Sequence, residues 1–151
     1  MSVLTFELED DFTLIGIHSV LEDYRLAYLL NQNFGAKFRR FKDSLDFVNS
    51  TAVFPLFEFR DSTTEQDFYL INNKHTSLVE GEENNGLLGN QYTRLSYLVP
   101  EKKGVDFFLK IKGAKPAFSL KTVHKLNKIN QVITAYLIDT DNLKSKNHLI
   151  F

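Results

Sequence analysis

Residues 105–112 carry the clearest period-two pattern in the chain. Val105, Phe107, Leu109 and Ile111 fall on one side, and Asp106, Phe108, Lys110 and Lys112 on the other. Alternation of this kind belongs to a β-strand, whose successive side chains point to opposite faces. Residues 12–17 mix branched and aromatic side chains almost without a polar break, which predicts a strand buried on both faces. Ser19 follows, with Glu22 three residues later, a spacing that suits a capping box. A helix is therefore expected over residues 20–34, carrying Tyr24, Ala27, Tyr28 and Leu30 and ended by Gly35.

The middle of the chain reads as strands divided by polar turns. Residues 38–47 are weakly patterned and charged, which suits an edge. Residues 53–60 are rich in Phe but contain Pro55, which points to an edge or a bulge. The polar residues 61–66 form a hairpin loop, and 68–72 the return strand. Residues 74–90, with Gly81, Gly86 and Gly89, are expected to be irregular. Residues 92–99 and 105–112 make a second hairpin, with Gly104 supplying a positive φ before the return strand. Pro116 and Ser119 introduce a second helix carrying Val123, Leu126 and Ile129, and the β-branched run 132–138 is expected to end the domain as a strand.

The resulting order is β-α-β-β-β-β-β-α-β: an α+β domain, with a mostly antiparallel sheet and two helices on one face. A chain of 151 residues fits a single domain spanning 1–151. The 14 Phe and 6 Tyr, with no Trp, strengthen the lean towards sheet.

Composition removes several kinds of chemistry. With no cysteine there are no disulfides, thiolate nucleophiles or zinc–thiolate sites, and no sign of an oxidising compartment. The N-terminal residues lack a signal-peptide pattern, and no apolar run reaches the roughly 20 residues that span a bilayer. These features point to a cytoplasmic protein without a membrane segment. The net charge of −1 hides an asymmetry. Residues 102–128 hold eight Lys against Asp106 alone, a local excess of +7, whereas acids gather at Glu7, Glu9, Asp10 and Asp11 and at Glu80, Glu82 and Glu83. The basic stretch reads either as solvated surface or as a docking face for an acidic partner.

No phosphate-binding loop, dinucleotide fingerprint, nucleophile elbow or zinc-protease helix occurs. The four His, at 18, 75, 124 and 148, lack metal-ligand spacing, so no metal or cofactor is expected. His18 ends the first strand, where a catalytic side chain could stand. Glu101 and Asp106 flank a tight turn, and paired carboxylates can divide acid and base roles if their surroundings separate their pKa values. They can equally cap the turn or pair with Lys102, Lys103 or Lys110. On the predicted strand Phe108 shares a face with Lys110 and Lys112, the arrangement of a stacking platform for RNA. Few Arg and a mildly acidic chain weigh against it.

The run Val99-Pro100-Glu101-Lys102-Lys103-Gly104-Val105-Asp106-Phe107 resembles the signature of the IPExxxVDY family, small uncharacterised proteins of Bacteroidetes. Pro100, Glu101, Val105 and Asp106 match, while Val99 stands for Ile and Phe107 for Tyr. The second change removes a hydroxyl, and with it any mechanism needing a Tyr donor there. Residues 14–17, 23–26, 108–113 and the ending 143–151 extend the resemblance over the whole chain. It implies no activity and no cofactor. Physically, Pro100 fixes the backbone where a strand ends, and Glu101 or Asp106 can accept from the turn or from another segment. The apolar ending Leu149-Ile150-Phe151 suggests a docked tail.

The leading expectation is a non-enzymatic binding or adaptor domain, a homodimer, that docks an acidic protein or RNA. The alternatives are a small enzyme using Glu101, Asp106 and His18, and a structural homodimeric subunit.

Overall fold

The computed structural model describes residues 11–42, 45–46, 52–80 and 91–151. Strand β1 (Thr13–His18) leads through a short turn into helix α1 (Asp23–Phe34). Strands β2 (Arg39–Arg40), β3 (Leu45–Asp46), β4 (Val53–Phe54), β5 (Leu56–Asp61) and β6 (Gln66–Asn72) follow. Next come β7 (Lys74–Glu80), β8 (Gln91–Tyr97), β9 (Phe107–Lys112), helix α2 (Pro116–Asn127) and β10 (Thr134–Ile138). The main sheet has six strands in the order β10-β1-β9-β6-β5-β2, all paired antiparallel. β3 pairs with β4, and β7 with β8, as separate ribbons. The protein is α+β, as the residue pattern predicts.

Both faces of the main sheet are buried, which accounts for the shortage of polar positions in its strands. One face carries Ile15, Ile17, Phe68, Leu70, Phe107 and Leu109, packed beneath Leu26 and Leu30 of α1 and Leu126 of α2. The other carries Leu14, Leu56, Ile71 and Phe108, covered by Leu98, Val99, Leu143 and Leu149 from the turn before β9 and the C-terminal residues. Among the described residues no helix is long and apolar enough to cross a membrane.

Several local expectations are corrected. α1 starts at Asp23, and Glu22 caps it without a side-chain bond. Ser19 makes no capping box, because its hydroxyl donates to Gln131 O (2.9 Å) and accepts from Leu21 N–H (3.2 Å). Gly35 closes the helix in the left-handed region, at φ 64°, as expected. Pro55 splits its run into β4 and β5, and β5 is an interior strand, since short β2 lies outside it.

Residues 74–80, expected to be irregular, form β7; Gly81, Gly86 and Gly89 lie outside the described residues. β8 pairs with β7, so the hairpin predicted between β8 and β9 does not exist, and β9 runs between β1 and β6. Val105 also leaves the predicted face. It precedes the strand and packs with Phe108, opposite Phe107, Leu109 and Ile111. Gly104 does not take a positive φ; Gly35 and Gly113 do. The final strand is present as β10.

Candidate functional site

The segment 98–106 bridges the β7–β8 ribbon and the main sheet, and it is held from three sides. Pro100–Lys102 form one 3-10 turn, tightened by Lys102 N–H to Val99 O (3.0 Å) and Val105 N–H to Lys102 O (3.1 Å). Asn73, fully buried between β6 and β7, reaches into this turn. Its amide nitrogen donates to Lys102 O (2.9 Å) and Val105 O (2.8 Å), and its amide oxygen accepts from Val99 N–H (2.9 Å). Its backbone adds Asn73 N–H to Asp106 O (3.0 Å) and Leu98 N–H to Asn73 O (2.8 Å). One side chain thus bonds three main-chain groups of a turn that makes no ladder of its own.

The two carboxylates look outward from this turn in different directions. Glu101 accepts from the Ser145 N–H (2.7 Å) and hydroxyl (2.8 Å), which ties the C-terminal residues to the turn. Partial desolvation pushes its carboxyl up. Hydrogen bonds from its own amide, from Ser145 and from the Lys144 amide outweigh that and hold it below the usual carboxylate value. Asp106 accepts from Ser19 N–H (2.9 Å) and from Lys74 Nζ (2.9 Å), and so joins β1, β7 and β9. The Lys partners proposed from sequence are not the ones used. His18 instead bonds Tyr136 OH through Nε2 (2.9 Å). No bond links it to Glu101 or Asp106 in the described structure.

The signature residues Pro100, Glu101, Val105, Asp106 and Phe107 are therefore brought together as a knot whose polar groups already have partners. Val105 and Phe107 are buried in opposite cores, and Phe107 has no need of a hydroxyl there. His148 Nδ1 against Leu98 O (2.7 Å) fastens the same tail a second time.

Lys110 is the largest departure from the residue pattern. Only 2% of it is exposed. Its Nζ donates to Leu149 O and Phe151 O and lies 3.8 Å from the centre of the Phe151 ring, with Phe12 at 4.9 Å and Tyr69 at 5.5 Å. It holds the tail down and is no part of a basic surface. Phe108 is buried too, so the stacking platform with Lys110 and Lys112 does not form. Lys112, half-buried, stands opposite Asp67 in the sheet.

Of the six remaining lysines of the stretch, Lys102 and Lys103 belong to the 3-10 turn and Lys115 precedes α2, whereas the other three gather. Lys121, Lys125 and Lys128 are exposed, and their spacing of four and three residues places them within about 60° of one another around the α2 axis. Lys128 continues the spiral as the C-cap, with φ −85° and ψ −13°. No ion pair among the described residues engages these three. Beside them a cleft of about 140 Å³ opens between α2 and the end of α1, floored by the sheet. Its walls are Phe34, Phe38, Phe59, Phe68 and Phe118, with Leu109 beneath, while Lys121, Lys125 and Asp61 stand at its mouth. Phe59 and Phe68 stack at 5.5 Å, and Phe38 and Phe118 meet Phe68 edge-on. Sequence reasoning found the lysines but not the cleft, whose aromatic walls come from five separate elements and loops.

Among the described residues no three His, Asp or Glu side chains form a metal-binding group. Compared with known proteins, the chain matches no family model, no curated protein and no solved structure.

Proposed function

We propose that this protein is a non-enzymatic binding domain of the cytoplasm that docks an acidic polypeptide along the exposed side of α2. The observation that carries this reading is the row Lys121, Lys125 and Lys128, three like charges on one helical stripe without acidic partners among the described residues. Concentrated charge of one sign steers an oppositely charged partner and fixes its register. The basic last turn also sits favourably at the negative end of the helix dipole. The occupied hydrogen bonding of Glu101 and Asp106 supports a binding role over acid–base catalysis. Membership of the IPExxxVDY family belongs to the same proposal, with Pro100, Glu101, Val105 and Asp106 as its support.

The test is fluorescence anisotropy with a labelled oligoglutamate peptide at low and at physiological ionic strength. Binding should weaken as salt rises, because the pairs formed are exposed to screening. The Lys121→Glu/Lys125→Glu variant should lose about tenfold or more in affinity, since like charges then face the peptide. Affinity indifferent to both salt and charge reversal would remove the proposal. An RNA oligonucleotide binding more tightly than any acidic peptide would transfer the face to nucleic acid.

A further inference from the structure

The cleft beside the lysine row is built for one ring. Its volume of about 140 Å³ is close to the roughly 150 Å³ that accommodates benzene in an apolar protein cavity. Phe34, Ala36, Phe59 and Phe118 line it while keeping part of their surface exposed, so it opens to solvent. Aromatic walls suit an aromatic guest, for ring pairs prefer the edge-on and offset geometries already seen among Phe38, Phe68 and Phe118. The mouth sets the polarity of whatever follows the ring. Lys121 and Lys125 outnumber Asp61 there, and Asp61 already accepts from Thr63 N–H (3.0 Å). Lys125 Nζ lies 6.0 Å from the Phe34 ring centre, at the lip between charge and aromatic wall.

The positive row does not stop at the mouth. From Lys121 to Lys128 it runs about 10 Å along α2, at 1.5 Å per residue. A small aromatic acid would meet one end of that row, whereas an extended acidic chain meets all of it. We infer that the partner is an acidic peptide segment that inserts a phenylalanine side chain into this cleft, with its flanking carboxylates laid along Lys121, Lys125 and Lys128. This rests on the docking function proposed above and supplies what charge alone cannot, a fixed register. Burying one well-packed aromatic anchor in a pocket concentrates binding energy at a single position, as interface hot spots do.

The experiment titrates the full chain with two probes: a short peptide of glutamates around one central phenylalanine, and its alanine-centred twin. Both are read by anisotropy and by chemical-shift changes at Ala36 and Leu109. The phenylalanine peptide should bind about tenfold or more tightly, the effect of burying one such side chain. Ala36→Leu, which narrows the cleft and leaves the lysines in place, should bring it down to the affinity of the twin. Charge reversal at Lys121 and Lys125 should weaken both.

Equal, salt-sensitive affinity of the two peptides would overturn the anchor and leave the docking function standing. A phenylalanine preference that Ala36→Leu does not touch, in a variant with a wild-type thermal transition, would also overturn it. If that variant fails to fold, the peptide pair and the shifts at Ala36 and Leu109 decide alone. Failure of both peptides at millimolar concentration would remove the docking function itself.

Discussion

Asn73 does more for the signature than any residue inside the signature. Its carboxamide satisfies Lys102 O, Val105 O and Val99 N–H from a fully buried position. Replacing it by Ala leaves Val105 O and Val99 N–H buried without partners, each a penalty of about 1–3 kcal/mol before relaxation, whereas Lys102 O keeps its bond from Val105 N–H. Asn73→Ala should therefore lower unfolding free energy by about 2 kcal/mol or more, measured by urea denaturation. A loss below about 1 kcal/mol would mean the turn holds itself.

Glu101 offers a different test, because its carboxyl is held below the usual 4.5. A lowered folded-state pKa contributes stability that is fully present above the unfolded value and fades as pH falls through the folded one. At this exposed position solvent screening keeps the contribution to about 0.5–1 kcal/mol. Glu101→Gln should cost that much at pH 7, and the gap between variant and wild type should close in acid, as followed by denaturation midpoints from pH 7 to about 3. That Glu101 could accept from another segment was legible, whereas which segment, and the role of Asn73, were not. The period-two pattern placed Glu101 and Asp106 beside a turn, but their partners Ser145, Ser19 and Lys74 are distant in sequence. Nothing local marks an Asn between two strands as a hub.

At the scale of elements, legibility followed locality. β1, α1, the β5–β6 hairpin, α2 and β10 were all recoverable, because each announces itself within a few residues through periodicity, Gly35, Pro116 or a run of branched side chains. Pairing was not. β8 and β9 read as a hairpin because a turn of five residues separates them, yet β8 belongs to β7 and β9 to β1 and β6. The segment between them holds a 3-10 turn instead of a two-stranded reversal, and this also upsets the alternation at Val105. Lys110 misled for a related reason. Alternation shows which face a residue occupies, but it does not reveal that a distant tail covers that face.

Gly113 marks the true end of β9. Its φ is 87°, and a Cβ there would stand 3.0 Å from Glu65 O in the neighbouring turn. Both the left-handed backbone and the close oxygen oppose any side chain. Gly113→Ala should cost about 1–2 kcal/mol, read as a lowered thermal midpoint. The same change at Gly104, whose φ is not positive and whose nearest neighbour would be His18 Cε1 at 3.6 Å, should cost less.

On the scale of the whole molecule, the two faces of the main sheet divide the labour. The face under Leu98, Val99 and Leu149 is closed by the turn and tail, with Asn73, Glu101 and Lys110 as fastenings. The face under the helices leaves an aromatic cleft beside the lysine row, and there the proposed partner docks. The strand order also dictates when this architecture can come into being. β1, made from residues 13–18, has β9 on one side and β10 on the other, so both its neighbours are built from residues beyond 106. A ribosome adding about 5–20 residues per second leaves β1 without either partner for roughly 4–20 s. During that interval Ile15 and Ile17 have no sheet to join, and the distant pairings make closure a late, collective event. A strand made early is thus among the last to find its place, and until then its apolar side chains are exposed surface of the kind that makes unfinished chains prone to aggregate.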